Sequence, residues 1–203
     1  ARKDLHNMFK LLRPVESGSQ ALMKQIELHI KEKGLDAIKG LNPKDENYVQ
    51  NFVEDILSVY QHHLQLINDV FESDKGFLAS LDIACTDIIN YRENTKTVCR
   101  SPEILARYFD SLLRKSSKCH SESEIDDKLT RAINIFKYIH DKDVFQKFYS
   151  KMLAKRLIYI QYVSLDSEEV MINKLKQACG YEFTSKLHRM FTDIKGLFNY
   201  TFL

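Results

Sequence analysis

An apolar period of three and four residues runs almost unbroken through this 203-residue chain, and only three prolines and six glycines interrupt it. Apolar side chains at that step line one face of an α-helix, whereas a strand needs a step of two. Proline removes a backbone donor and glycine weakens a helix interior, so a chain poor in both permits long helices. Met8, Leu11 and Leu12 predict a first helix that closes before Pro14. Leu22, Ile26 and Ile30 predict a second over about 19–33, with Gly34 as a left-handed stop. Tyr48, Phe52, Ile56, Val59, Tyr60, Ile67, Val70 and Phe71 predict a long third over about 45–72. Phe77, Leu81, Ile88 and Ile89 predict a fourth over about 75–91.

Residues 92–100, RENTKTVCR, break the period: they are polar and carry no helical stripe. They are the expected domain boundary, with one unit over 1–100 and another over 101–203. Ser101, Pro102 and Glu103 then read as an N-cap, a first-turn proline and a first-turn acid. The helix they open turns Ile104, Leu105, Tyr108, Phe109 and Leu112 inward. It ends in Arg114, Lys115 and Lys118, cations at the negative end of the helix dipole. CHSESEIDD reads as a polar link, and Ile125, Leu129, Ile133, Phe136 and Ile139 carry the next helix to a joint at His140-Asp141. A basic helix follows, then one over about 167–179 stopped by Gly180, then one capped by Thr184 and running to about 193. YIQYV at 159–163 has strand composition, but the sequence offers it no partner strand. The expected fold is all-α, elongated stacked helix bundles with short links.

Composition narrows the function. Thirty Lys and Arg against 28 Asp and Glu leave a net charge of +2, so a nucleic-acid or membrane role would need a local patch. Cys85, Cys99, Cys119 and Cys179 are far apart and form no CxxC, which argues for free thiols in a reducing compartment rather than a zinc site or a disulfide scaffold. There is no signal-peptide pattern and no apolar run near the roughly 18 residues that cross a bilayer. The opening residues ARKDLHNMFKLL look like the middle of a helix, as in an excised fragment. GxxxxGK[ST], GxGxxG, GxSxG and HExxH are all absent. Adjacent His62 and His63 point about 100° apart on a helix and read as surface residues. Cys179 and His188 lack an orienting acid for thiolate chemistry. Glu168 and Glu169 read as first-turn carboxylates that stabilise a helix dipole. No catalytic, cofactor or metal residue emerges, and the chain reads as non-catalytic.

The segment DKDVFQKFYSKMLAKRL, 141–157, is the most suggestive. Lys147, Lys151 and Lys155 are spaced by four and form one ridge, while Phe145, Phe148, Tyr149, Met152 and Leu153 form an apolar face. The bland reading is a solvated outer face on a core helix. Nucleic-acid binding needs aromatics exposed between the cations for base stacking, and membrane binding needs an isolated amphipathic helix. Neither suits a helix flanked by others, which leaves an acidic protein partner as the functional alternative.

FKYIHDKDVFQKFYSKMLAKRLI (136–158), SEEVMINKLKQACGYEFTSKLHRMFTDI (167–194) and SPEILARYFDSLLRKSSK (101–118) resemble the cullins, the scaffold subunits of cullin–RING ubiquitin ligases. NYRENTKTVCRSPE and ACGYEFTSKLHRMFTD are most similar to the cullin-2 type, and ARKDLHNMFKLL and GFLASLDIAC extend the resemblance through 1–100. The resemblance implies that 1–100 are the later helices of the third cullin repeat, and that 101–203 begin the C-terminal domain with its four-helix bundle. It implies a scaffold that positions a substrate receptor and a RING-bound ubiquitin-conjugating enzyme, in cytoplasm and nucleus, without cofactors. The RING-box subunit and an elongin-type adaptor would bind parts of the parent protein absent here; nucleic acid and membrane are not implied partners. Arg114, Lys115 and Lys118 match the family's basic patch for the acidic tail of the conjugating enzyme. Lys147, Lys151, Lys155 and Arg156 are a weaker extension of that patch. A basic nucleic-acid-binding helical protein and a truncated, non-functional cullin product are the alternatives. Two stretches depart from the family pattern. YIQYVSLD replaces a polar loop containing Ser and Gly, and KGLFNYTFL follows Ile194 in place of the family sequence.

Overall fold

The chain, a computed structural model, is described at residues 2–94, 97–115 and 121–201, with side chains to residue 196. It is all-α: among the described residues there are eight helices and no strand beyond one isolated bridge. They divide into two compact units, Ala1–Val98 and Cys99–Leu203. Lys118 and Cys119 lie outside the described residues.

The first unit holds α1 (Arg2–Leu12), α2 (Glu16–Lys39), α3 (Tyr48–Val70) and α4 (Lys75–Ile89). Helix α2 packs along α4 and α3, and α1 leans on α2 and α3. Three phenylalanines close one end of the core. Phe71 and Phe77 stack with centroids 4.2 Å apart, and Phe9 meets them edge-on at 5.5 and 5.6 Å. In the first helix Phe9 is buried, whereas Met8 and Leu11, expected to mark its inner face, are exposed. Glu72 and Ser73 take left-handed φ of 53° and 56°, and Asp74 then caps α4 by accepting from the Gly76 amide at 2.8 Å. Two residues thus reverse the chain between long helices.

Two further expectations fail in this unit. Gly34 is no stop: α2 continues through it to Lys39. Its hydrogen faces α4, and a Cβ there would run into Ile88 Cδ1. The glycine is there so that two helices can approach, not to end one. Gly34→Ala should lower stability by about 1–3 kcal/mol through overpacking. A denaturant midpoint equal to the parent chain's would show that Ile88 moves aside without cost. His63, expected at the surface, is buried against α2, with its Nδ1 2.7 Å from the Val59 carbonyl and its ring 5.9 Å from that of His29. Burial holds its pKa below the usual histidine value, and His62 and His29 add to the effect.

The second unit holds α5 (Ser101–Leu113), α6 (Glu122–Phe136), α7 (Lys142–Ile158) and α8 (Leu165–Thr201). Helix α5 packs on α7 and α6, and α8 packs on α6 and α7. Ser101 opens α5 as a buried helical residue; the N-cap position is Arg100, without a side-chain bond. The expected polar link is largely helix. Ser121 Oγ accepts from the Glu124 amide at 3.2 Å, so SESE is a capping-box sequence that starts α6. Gly180 breaks α8 with φ 84° and ψ 171°, a region open to glycine alone. Thr184 is not a cap: it lies buried inside the helix, and its hydroxyl donates to the Gly180 carbonyl at 3.2 Å. YIQYV does find a partner. The chain just past α5 pairs with it, the Lys115 amide donating to Gln161 O at 2.8 Å and the Val163 amide to Leu113 O at 2.9 Å.

Candidate functional site

Helix α7 carries both faces of the candidate site. Phe145, Tyr149 and Leu153 recur at a step of four and are fully buried. Phe145 stacks on Tyr149 at 5.5 Å, lies 4.6 Å from Phe136 and meets Phe109 edge-on at 5.9 Å. Phe148 and Met152, expected in the same apolar face, are only half-buried. Phe145 and Tyr149 are turned inward, away from the exposed lysines of α7. Lys147, Lys151 and Lys155 form the expected exposed ridge. Lys147 and Lys151 also line an open groove of about 500 Å³ with Ala154 and Met190. Lys186, from the second half of α8, completes its cationic wall. Sequence spacing gave no means of finding Lys186, because only tertiary packing brings it beside α7.

Arg156 does not belong to that ridge. Its side chain is 0% exposed. Eleven residues beyond Phe145 is about 1,100°, three turns and some 20°, so Arg156 points with Phe145 into the core. That arithmetic was available in the sequence; the side chain's charge concealed it. Inside, Arg156 Nε donates to Glu168 Oε1 at 2.6 Å, and Nη2 to Oε2 at 2.9 Å, a two-pronged pair. Its Nη1 donates to Asp110. Burial disfavours the Arg156 charge, but the bonds and charge of Glu168 outweigh it and hold the guanidinium protonated even more firmly than usual. The guanidinium carbon lies 5.5 Å from the Tyr149 ring centroid. Burial, then the Glu168 charge, push the Tyr149 phenol up, so it stays neutral. Glu168, read as a first-turn carboxylate, does lie in the first turn of α8, and it is 0% exposed. It is the anchor of the cluster.

Asp110 connects this interior to the surface. One oxygen faces Arg156, and the other accepts from Arg114 Nε at 2.7 Å. Arg114 is half-exposed and ion-paired, so its charge is largely spent within the protein. Lys115 next to it is exposed and makes no ion pair among the described residues. Lys118 lies outside the described residues, so the three-cation patch is represented by one paired arginine and one open lysine. Beyond the lysine ridge, Ile158, Tyr159 and Ile160 are 64%, 67% and 53% exposed.

Other candidates carry no chemistry. Among the described residues no three His, Cys, Asp or Glu are grouped to hold a metal ion, and no helix is long and apolar enough to cross a membrane. Cys85 and Cys99 are buried, and burial pushes the Cys179 thiol up, away from a thiolate.

Helix stacked on helix, with ions used for internal fastening and cations on one outer ridge, defines a helical-repeat protein that presents surfaces. Residues 1–197 match the Cullin alpha solenoid domain family. The chain is 52% identical over 192 residues to Cullin-2 of Caenorhabditis elegans, covering 95% of this chain and 24% of that protein. It is 45% identical to Cullin-1 of Dictyostelium discoideum, over 94% of this chain and 25% of that protein. To human Cullin-4A it is 34% identical, over 95% of this chain and 24% of that protein. The chain belongs to the cullin family. It spans about a quarter of the length of these relatives.

Proposed function

We propose that this chain is the central scaffold segment of a cullin–RING ubiquitin ligase subunit, acting without catalysis in cytoplasm and nucleus. Residues 1–100 serve as the end of the third cullin repeat, and 101–203 as the start of the C-terminal domain. The RING-box subunit and an elongin-type adaptor bind parts of the parent protein outside this chain. The scaffold raises the effective concentration of a ubiquitin-charged enzyme beside a target lysine by holding both in place.

The observation that carries the reading is a cationic edge built on fastened helices. Lys147, Lys151 and Lys155 stand exposed on α7, whose inner face is tied to α5 and α8 by the buried Arg156 cluster. Clustered exposed cations on a rigid support attract an acidic partner and speed its arrival. The acidic tail of a ubiquitin-conjugating enzyme fits this chemistry, with exposed Lys115 as a further cation.

The test avoids Arg114, because a glutamate there would face Asp110 and disturb the fold. Lys115→Glu and the triple variant Lys147→Glu/Lys151→Glu/Lys155→Glu are made in the full-length cullin. Ubiquitin discharge from the conjugating enzyme should slow by about tenfold at low salt, and the difference should fade as salt screens the charges. Rates equal to the parent's at every ionic strength would remove the assignment.

A further inference from the structure

The end of α7 combines two features that a stable surface normally avoids. Ile158, Tyr159 and Ile160 are three consecutive, mostly exposed apolar residues. Ile160 has φ 53°, and a β-branched side chain in that region is strained. The turn is nevertheless held firmly. The Gln161 amide donates to Arg156 O at 2.9 Å, Gln161 O accepts from the Lys115 amide at 2.8 Å, and Val163 pairs with Leu113. Strain and exposure at a pinned turn are the pattern of a surface kept for contact.

Its surroundings indicate the contact's chemistry. Tyr159 is four residues beyond Lys155, so it continues the ridge Lys147, Lys151, Lys155 on the same helical face. Ile158 is the neighbour of Lys155 three residues on. On the other side, the backbone pairing sets Lys115 beside Gln161. Of the acids along these elements, Asp110 and Glu168 face inward and are paired with arginines, while exposed Asp166 in the first turn of α8 acts on Lys195. An apolar tip with lysines on both sides complements a chain segment that is acidic and also carries large apolar residues.

We propose that Ile158, Tyr159 and Ile160 form the apolar part of a docking surface for an acidic protein segment, whose leucine or phenylalanine side chains seat on the tip while its carboxylates meet Lys155 and Lys115. The proposal rests on the acidic-partner reading of the lysine edge and adds to it what else the partner must contain.

Two fluorescent peptides of equal length and equal acidic charge provide the probe. One carries leucines and a phenylalanine between its acids, and the other carries serines in their place. Binding to the 203-residue chain is read by fluorescence anisotropy at two salt concentrations. The apolar-acidic peptide should bind about tenfold tighter. The Tyr159→Ser/Ile160→Asn variant should erase that margin and leave the serine peptide's salt-dependent binding unchanged. Asparagine tolerates the left-handed conformation, so this variant should melt no lower than the parent chain. Equal affinity of the two peptides for the parent chain, with salt-dependent binding intact, overturns the proposal alone. Absence of binding by either peptide overturns it together with the acidic-partner reading. Concentration-dependent self-association abolished by the same variant, or binding to anionic vesicles abolished by it, would assign the tip to a second copy or to a lipid surface and overturn the proposal.

Discussion

Arg156→Met should destabilise the second unit by about 3–5 kcal/mol. The large effect does not mean that the ion pair is itself strongly stabilising. Methionine fits the stem's volume, but it leaves Glu168 fully buried with no cation, and Asp110 with Arg114 alone. A carboxylate stranded away from water costs far more than a lost hydrogen bond. Arg156→Met/Glu168→Leu should recover most of the loss, because removing both charges removes the desolvation problem with them. Denaturant unfolding of the parent, both single variants and the double variant gives the coupling. A single-variant midpoint equal to the parent's would mean that Arg156 reaches water. Additive losses in the double variant would mean that the two side chains do not act as a pair.

Phe145→Ala should cost about 3–5 kcal/mol by opening a cavity in the aromatic core. Its ring touches Phe109, Phe136 and Tyr149, so four helical positions on three helices lose packing at once. Phe148→Ala, one turn position away and half-buried, should cost less than about 1.5 kcal/mol. Thermal unfolding of the two variants side by side checks the assignment of faces. A larger loss at Phe148 than at Phe145 would mean that α7 is rotated about its axis.

Both predictions depend on which way α7 faces, and the sequence revealed that only in part. Helix content followed from the period, and the inward residues of α5, Ile104, Leu105, Tyr108, Phe109 and Leu112, are all buried. The lysine ridge was equally legible, since a spacing of four defines a line on a helix whatever packs against it. Arg156 was misread because residue type was allowed to outrank position. Its angle places it inside, and charge suggested outside. Glu168 was legible as a first-turn carboxylate of α8, but not its burial or its arginine partner. Each buries its charge because the other is there, and one-dimensional spacing cannot show a partner twelve residues away across a turn.

Glycines show the same division. Gly180 was legible as a stop because its role is local: a backbone angle that other residues resist. Gly34 was not, because what it accommodates is Ile88 on another helix. The strand-like YIQYV lacked a visible partner because the partner is the irregular end of α5, which carries no strand signal.

The sequence by itself determined the elements: nine amphipathic helical segments, the last two joined in α8 across Gly180, their polar interruptions and the spacing of the surface lysines. These depend on interactions within about four residues, where backbone geometry converts order along the chain into direction in space. Tertiary structure alone decided which charges went inside, which glycine served packing, and that Lys115, the end of the lysine ridge and an apolar turn share one corner. Those outcomes depend on partners distant in sequence, and the energy that selects them exists only once the helices meet.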